Sequence, residues 1–173
     1  MCSVCLPRHP AMAYLCLVRS VSAPNRYWLV ARDKPALLTH MMRHLVGDAQ
    51  ISFEGVLDSF EFPQSIPCIS EEHSSLKPCS AYREFPFVIL ALEPDTIKPI
   101  LDTILPENRF MDQVIHIQIA KHGEIQFGCY DNFHPDCIVA YKGISTNFLD
   151  QLLHRGIIKS WTPAPEEAAR PHD

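Results

Sequence analysis

The amino-acid sequence predicts an α+β fold, a single mixed or mainly antiparallel sheet of about six to seven strands with about three helices packed on it. Three observations carry this. Residues 114–129 alternate apolar and polar side chains, with Ile115, Ile117, Ile119, Ile125, Phe127 and Cys129 in step, the period of a strand with one buried face. Residues 97–105 place Ile97, Ile100, Leu101, Ile104 and Leu105 on one stripe of a helix. A 173-residue chain that is 47% hydrophobic suits one domain with a substantial core.

In chain order, residues 1–11 contain Cys2, Cys5, Pro7, His9 and Pro10 but no periodicity, and Met12 directly precedes the first strand-like run. The expectation is a disordered or non-native extension over 1–11, with the domain spanning 12–161. Cys2, Cys5 and His9 resemble half a zinc site, lacking the second ligand pair that structural sites carry. Residues 13–20 and 26–31 read as strands joined by a loop with Pro24 and Asn25. Asp33 is an expected N-cap, with Pro35 tolerated in the first turn of a helix reaching about Val46. Leu37, Leu38, Met41 and Leu45 form its stripe, and Gly47 closes it. His40 and His44 stand i, i+4, a spacing that lets two imidazoles reach one metal, but Met41 occupies the place where an HExxH motif needs its glutamate.

Residues 50–62 alternate again, with Ile51, Phe53 and Leu57 on one face and a bulge or break at Gly55 and Val56. The proline- and serine-containing stretch 63–84 reads as a long surface loop, in which Cys68, His73 and Cys79 match no ligand signature. Residues 85–92 are a continuous apolar run, as in a strand buried on both faces. The next helix opens at Pro94 and Asp95 and ends at Pro106. For the following hairpin the sequence favours a three-residue turn, Lys121-His122-Gly123, which pairs Ile119 with Ile125, Ile117 with Phe127 and Ile115 with Cys129; a two-residue turn sets Ile119 opposite Gln126 and mixes the faces. Residues 137–141 form another strand. Ser145 or Thr146 then caps a helix with Phe148, Leu149, Leu152 and Leu153 inward, ended by Gly156 with Ile157 making the accompanying contact. Residues 162–173, with Pro163, Pro165, Pro171, Glu166 and Glu167, are expected to be a disordered tail.

Two regions carry candidate chemistry. The loop 131–137 gathers Asp131, His134, Asp136 and Cys137. If the chain is an enzyme, these are its catalytic residues: His134 is the base that Cys137 needs to become a thiolate. His134 with Asp131 or Asp136 is equally a partial metal site, alongside the weaker candidates His40 and His44. Turn chemistry accounts for the same loop, since Asp and Asn bond to nearby backbone amides. The second region, 48–72, holds Asp48, Glu54, Asp58, Glu61, Glu71 and Glu72 without a Lys or Arg. Glu54, Asp58, Glu61, Glu71 and Glu72 are the expected partner-binding set, steering a basic protein.

A formal net charge of −5 and the lack of clustered Lys and Arg argue against a nucleic-acid surface. No apolar run reaches the length of a membrane helix, and seven cysteines, an odd number without regular spacing, suit a reducing cytoplasm. There is no glycine-rich phosphate loop and no GxSxG elbow, and no cofactor is expected. The incomplete catalytic sets favour binding over catalysis. The expected function is that of a small cytoplasmic protein-binding protein, such as an immunity or inhibitor protein that neutralises a basic effector through an acidic surface. The alternatives are a metal- or thiol-dependent enzyme centred on His134 and Cys137, and a small-molecule sensor whose ligand lies near His116, Gln118, Gln126 and Tyr130.

Overall fold

Alternation and caps set the elements. The computed structural model describes residues 26–69, 75–79, 85–106 and 112–164. The half zinc site, the strand at 13–20, Glu71, Glu72, His73 and residues 165–173 lie outside them. β1 (Arg26–Ala31) buries Tyr27 and Leu29 on one face. Asp33 caps α1 (Lys34–Leu45), accepting from the Ala36 N–H at 2.9 Å. Gly47, at φ 86°, turns the chain into β2 (Ala49–Gly55). After β3 (Cys68–Ile69) and β4 (Phe87–Ala91), Thr96 ties α2 (Ile97–Ile104) to the strand before it: its hydroxyl donates to the Ala91 carbonyl at 2.8 Å and accepts from the Glu93 N–H at 2.9 Å. β5 (Val114–Lys121), β6 (Glu124–Cys129) and β7 (Ile138–Tyr141) follow. α3 (Thr146–His154), capped by Ser145, leads into β8 (Ile158–Pro163).

The strands form one sheet of eight in the order β3-β4-β2-β5-β6-β7-β1-β8, with every neighbouring pair antiparallel. Seven are full strands and β3 is a two-residue edge, so the α+β description holds. Leu37 and Met41 of α1, Ile100 of α2 and Leu149 of α3 share one apolar cluster with Leu29, Ile51, Phe53, Ile117, Ile119 and Phe127. The three helices among the described residues therefore cover the same face of the sheet. Among the described residues, no helix is long and apolar enough to cross a membrane.

The hairpin departs from the expected register. Its turn is the two-residue His122-Gly123, both at positive φ (52° and 78°), as in a type I′ turn. Lys121 pairs with Glu124 and Ala120 with Ile125, but Ile119 pairs with Phe127, because Gln126 is an extra residue bulged out of β6. The bulge removes the mixed faces that argued against this turn: it shifts the register by one residue, so Ile119, Phe127, Ile117 and Cys129 all reach the core. Ile125 instead lies opposite Ala120.

Two further differences concern stretches expected to be irregular. Cys68 and Ile69 add the edge strand β3 within the long loop. At the other end, β8 continues past Trp161 to Pro163, and the Ala164 N–H donates to the Arg26 carbonyl at 2.9 Å, so residues 162–164 belong to the sheet rather than to a tail. β8 was hard to read because it lies at an edge with most of its side chains exposed, and Pro163 stands at its end, where a missing N–H is tolerated.

The face away from the helices is partly covered. Leu76 is fully buried against Ile89 and Ala120. Around it, the Cys79 N–H donates to Glu54 Oε2 at 2.6 Å, the Lys77 N–H faces Gln118 Oε1 at 3.4 Å, and the Ser75 hydroxyl donates to the Gly123 carbonyl. Residues 75–79 thus run over the outer face and bury polar side chains there, Ser52 at 2% exposure and Glu54 at 1%.

Candidate functional site

The loop between β6 and β7 is the least ordinary piece of backbone. Asp131, Asn132 and Phe133 are three consecutive residues at positive φ (49°, 52° and 58°). Asp and Asn tolerate this conformation, but an aromatic residue there is strained, at a cost of order 1–3 kcal/mol. Burial of the Phe133 ring, which is 3% exposed, offsets that cost. The loop is closed at its base by Tyr130 N–H donating to the Cys137 carbonyl at 3.0 Å, and inside by Cys137 N–H donating to the His134 carbonyl at 2.8 Å. Asn132 N–H reaches the Ile115 carbonyl at 2.8 Å, and the Asp131 N–H donates to His116 Nδ1 at 3.1 Å.

His134 and Cys137 do approach each other, with Nδ1 and Sγ 3.9 Å apart. The same Nδ1 also faces the Asp136 N–H at 3.4 Å. Burial, followed by the carboxylates of Asp131 and Asp136, pushes the Cys137 thiol up from its ordinary value. A nucleophilic cysteine needs the opposite shift, which a neighbouring cation or helix N-terminus supplies. His134, Asp131 and Asp136 do not converge on a metal: among the described residues no three His, Cys, Asp or Glu side chains are placed to hold one.

Beside this loop is a cleft of about 850 Å³, within the ordinary range for small-molecule sites. Three segments form it: residues 31–35 at the β1–α1 junction, residues 131–135, and Gly156 with Lys159 where α3 gives way to β8. Arg32, Lys34 and Lys159 line it, as do Asp33 and Asp131. Lys34 Nζ donates to the Asn132 carbonyl at 2.9 Å and lies 5.9 Å from the centre of the Phe133 ring. The Arg32 guanidinium passes over Gly156, with Nη1 3.6 Å from where a β-carbon would stand.

No family model, curated protein or solved structure matches this chain.

The two helix histidines have separate surroundings. His40 Nδ1 meets the Ala36 carbonyl at 2.7 Å, whereas the His44 ring stacks on Phe148 of α3, centroids 3.9 Å apart. Burial and then the Lys121 charge hold His44 below its ordinary value. Of the expected acidic set, Asp58 and Glu61 are exposed, but Glu54 is not: it is buried on the outer face of the sheet and bonded to the Cys79 backbone. Glu54 is thus withdrawn from any contact surface, because the alternation that put it opposite Phe53 placed it under residues 75–79.

Of the sensor group, His116, Gln118 and Tyr130 come together. The Gln118 amide faces the Tyr130 hydroxyl at 3.5 Å and the Cys79 sulfur at 3.0 Å, and the His116 and Tyr130 rings are 5.8 Å apart. Tyr130 lies over Gly128, where a β-carbon would come within 2.5 Å of its hydroxyl. Burial, and then Tyr141, pushes the Tyr130 phenol well up, while burial and Glu54 push the Cys79 thiol up to about 11. Gln126 stands apart, packed on Gly143. The cleft cations Arg32 and Lys159 carried no signal in the sequence: they are far apart along the chain, flank different elements, and fit no spacing rule.

Proposed function

We propose that this protein acts by binding another protein, a basic one, in the manner of an immunity or inhibitor protein. The observation that carries this reading is the ordered loop after β2. Leu57, Phe60 and Ile66 are buried anchors, Phe60 and Phe53 each stack against Phe62, and the Ser59 hydroxyl donates to Gln113 Oε1 at 2.6 Å. The loop presents Val56, 46% exposed, just before the first anchor, and Asp58 and Glu61 between the anchors. An exposed apolar residue followed by exposed acids, with no Lys or Arg from Asp48 to Ile69, suits a partner with a basic rim and an apolar centre. Because the loop is already held in place, little conformational entropy is lost on docking.

The test is affinity capture followed by titration. A partner held by the wild-type chain is expected to bind about tenfold or more weakly to Asp58→Lys/Glu61→Lys, and progressively less as salt rises. Glu54→Gln, which alters a buried acid, is expected to leave capture unchanged. A partner indifferent to both the double charge reversal and salt would refute the reading.

A further inference from the structure

We propose that the cleft between the β1–α1 junction and the 131–135 loop is a binding site for a compact oxyanion, the phosphate or carboxylate group of a soluble small molecule. Arg32 and Lys159 are exposed at the cleft and, among the described residues, neither side chain has a hydrogen-bond or ion-pair partner. They come from neighbouring segments, Arg32 just after β1 and Lys159 on β8, so an anion beside both meets an Arg fork and an ammonium together. Lys34 adds a third cation, held by the Asn132 carbonyl and against the face of Phe133. The oxygens of one small anion accept from these donors at once.

The two acids of the cleft narrow the ligand class. Asp33 is occupied as the cap of α1, accepting from the Ala36 N–H, and Asp131 stands on the loop opposite. Together with the overall charge of −5, they repel an extended polyanion such as nucleic acid or an anionic bilayer. A small ligand avoids that repulsion, and any hydroxyl or amine it carries has Asp131 as an acceptor. Pro35, Pro135 and Ala31 supply apolar wall for the rest of the molecule, and the volume of about 850 Å³ exceeds what a bare phosphate fills. The site is independent of the acidic loop proposed above to meet a protein, and either can fail without the other.

The experiment is an amide-resolved NMR titration of the full chain at constant ionic strength, with inorganic phosphate and with phenyl phosphate. Both probes are expected to give saturable shifts at Asn132, Phe133 and Gly156, with phenyl phosphate bound about fivefold tighter through the apolar wall. Arg32→Gln/Lys159→Gln is expected to weaken phenyl phosphate about tenfold or more, since two charge-assisted contacts are lost. Both residues are exposed, so the thermal midpoint is expected to hold. Lys142→Gln, which removes a single positive charge away from the cleft, is expected to bind as wild type. The absence of saturable shifts with both probes up to about 20 mM, weaker than any useful site, overturns the proposal. So does binding that survives the double variant. Binding to phosphatidylglycerol vesicles that requires Arg32 and Lys159, with no response to phenyl phosphate, overturns it in favour of a lipid surface.

Discussion

At the scale of single residues, Gly55 shows how a local break holds distant segments together. Its φ of 155° and the carbonyl of Gln113, 2.1 Å from where a β-carbon would sit, leave room for glycine alone. Gly55 N–H donates to the Pro86 carbonyl at 3.2 Å, and Val56 N–H to the Gln113 carbonyl at 2.9 Å. Gly55→Ala is expected to lower stability by about 2–4 kcal/mol, read from the midpoint of urea unfolding. The break at Gly55 was legible in the sequence as an interruption of the alternation. The burial of Glu54 beside it was not, since alternation says which face a side chain takes and nothing about what later covers that face. Cys79 offers a check on that cover. With its thiol raised to about 11, first by burial and then by Glu54, its alkylation rate is expected to keep rising beyond pH 9.0. A labelling profile that levels off near pH 9.0 would mean that Cys79 is not held beside Glu54.

Among the elements, the helix ends were the most legible and the hairpin the least. Asp33 and Ser145 cap α1 and α3 as their positions require, and α3 ends with Gly156 N–H on the Leu153 carbonyl and Ile157 N–H on the Leu152 carbonyl, the paired bonds of a Schellman turn. Such motifs are read within a few residues. A bulge is not: Gln126 is ejected because the two faces must match across strands that include β7 beyond, a constraint no window of the hairpin contains. The stacked His44 and Phe148 couple α1 to α3 and give this contact a pH dependence. Burial first and Lys121 second lower the His44 value in the folded state below 6.5, so the unfolded chain takes up the proton more readily. Stability is therefore expected to be full above about pH 6.5 and to decline as pH falls from there through the lowered folded value. His44→Gln is expected to flatten that decline in thermal melts between those limits. An unchanged slope would mean that the ring is free to protonate in place.

For the molecule as a whole, the class and single-sheet architecture followed from periodicity, whereas the strand order did not, because pairing is decided between segments far apart in sequence. The candidate site divides the same way. The loop 131–137 stood out because its polar residues are adjacent in the chain, and in the fold burial and the carboxylates of Asp131 and Asp136 push its thiol up. Arg32 and Lys159 meet only because β1 and β8 are neighbours.

That neighbourhood has a consequence for how the chain is made. β1 lies between β7 and β8, and Arg26 finds its partner at Tyr141. At ribosomal speeds of about 5–20 residues per second, β1 waits roughly 6–23 s for β7, the first of its two neighbours to be made. Over that interval Tyr27 and Leu29, fully at home in the finished core, are exposed on the nascent chain. Synthesis thus leaves a window in which a ribosome-associated chaperone has a hydrophobic strand to hold. Stalled nascent chains ending before β7 are expected to be cut by protease within 26–31, and chains long enough to clear β8 from the exit tunnel to resist.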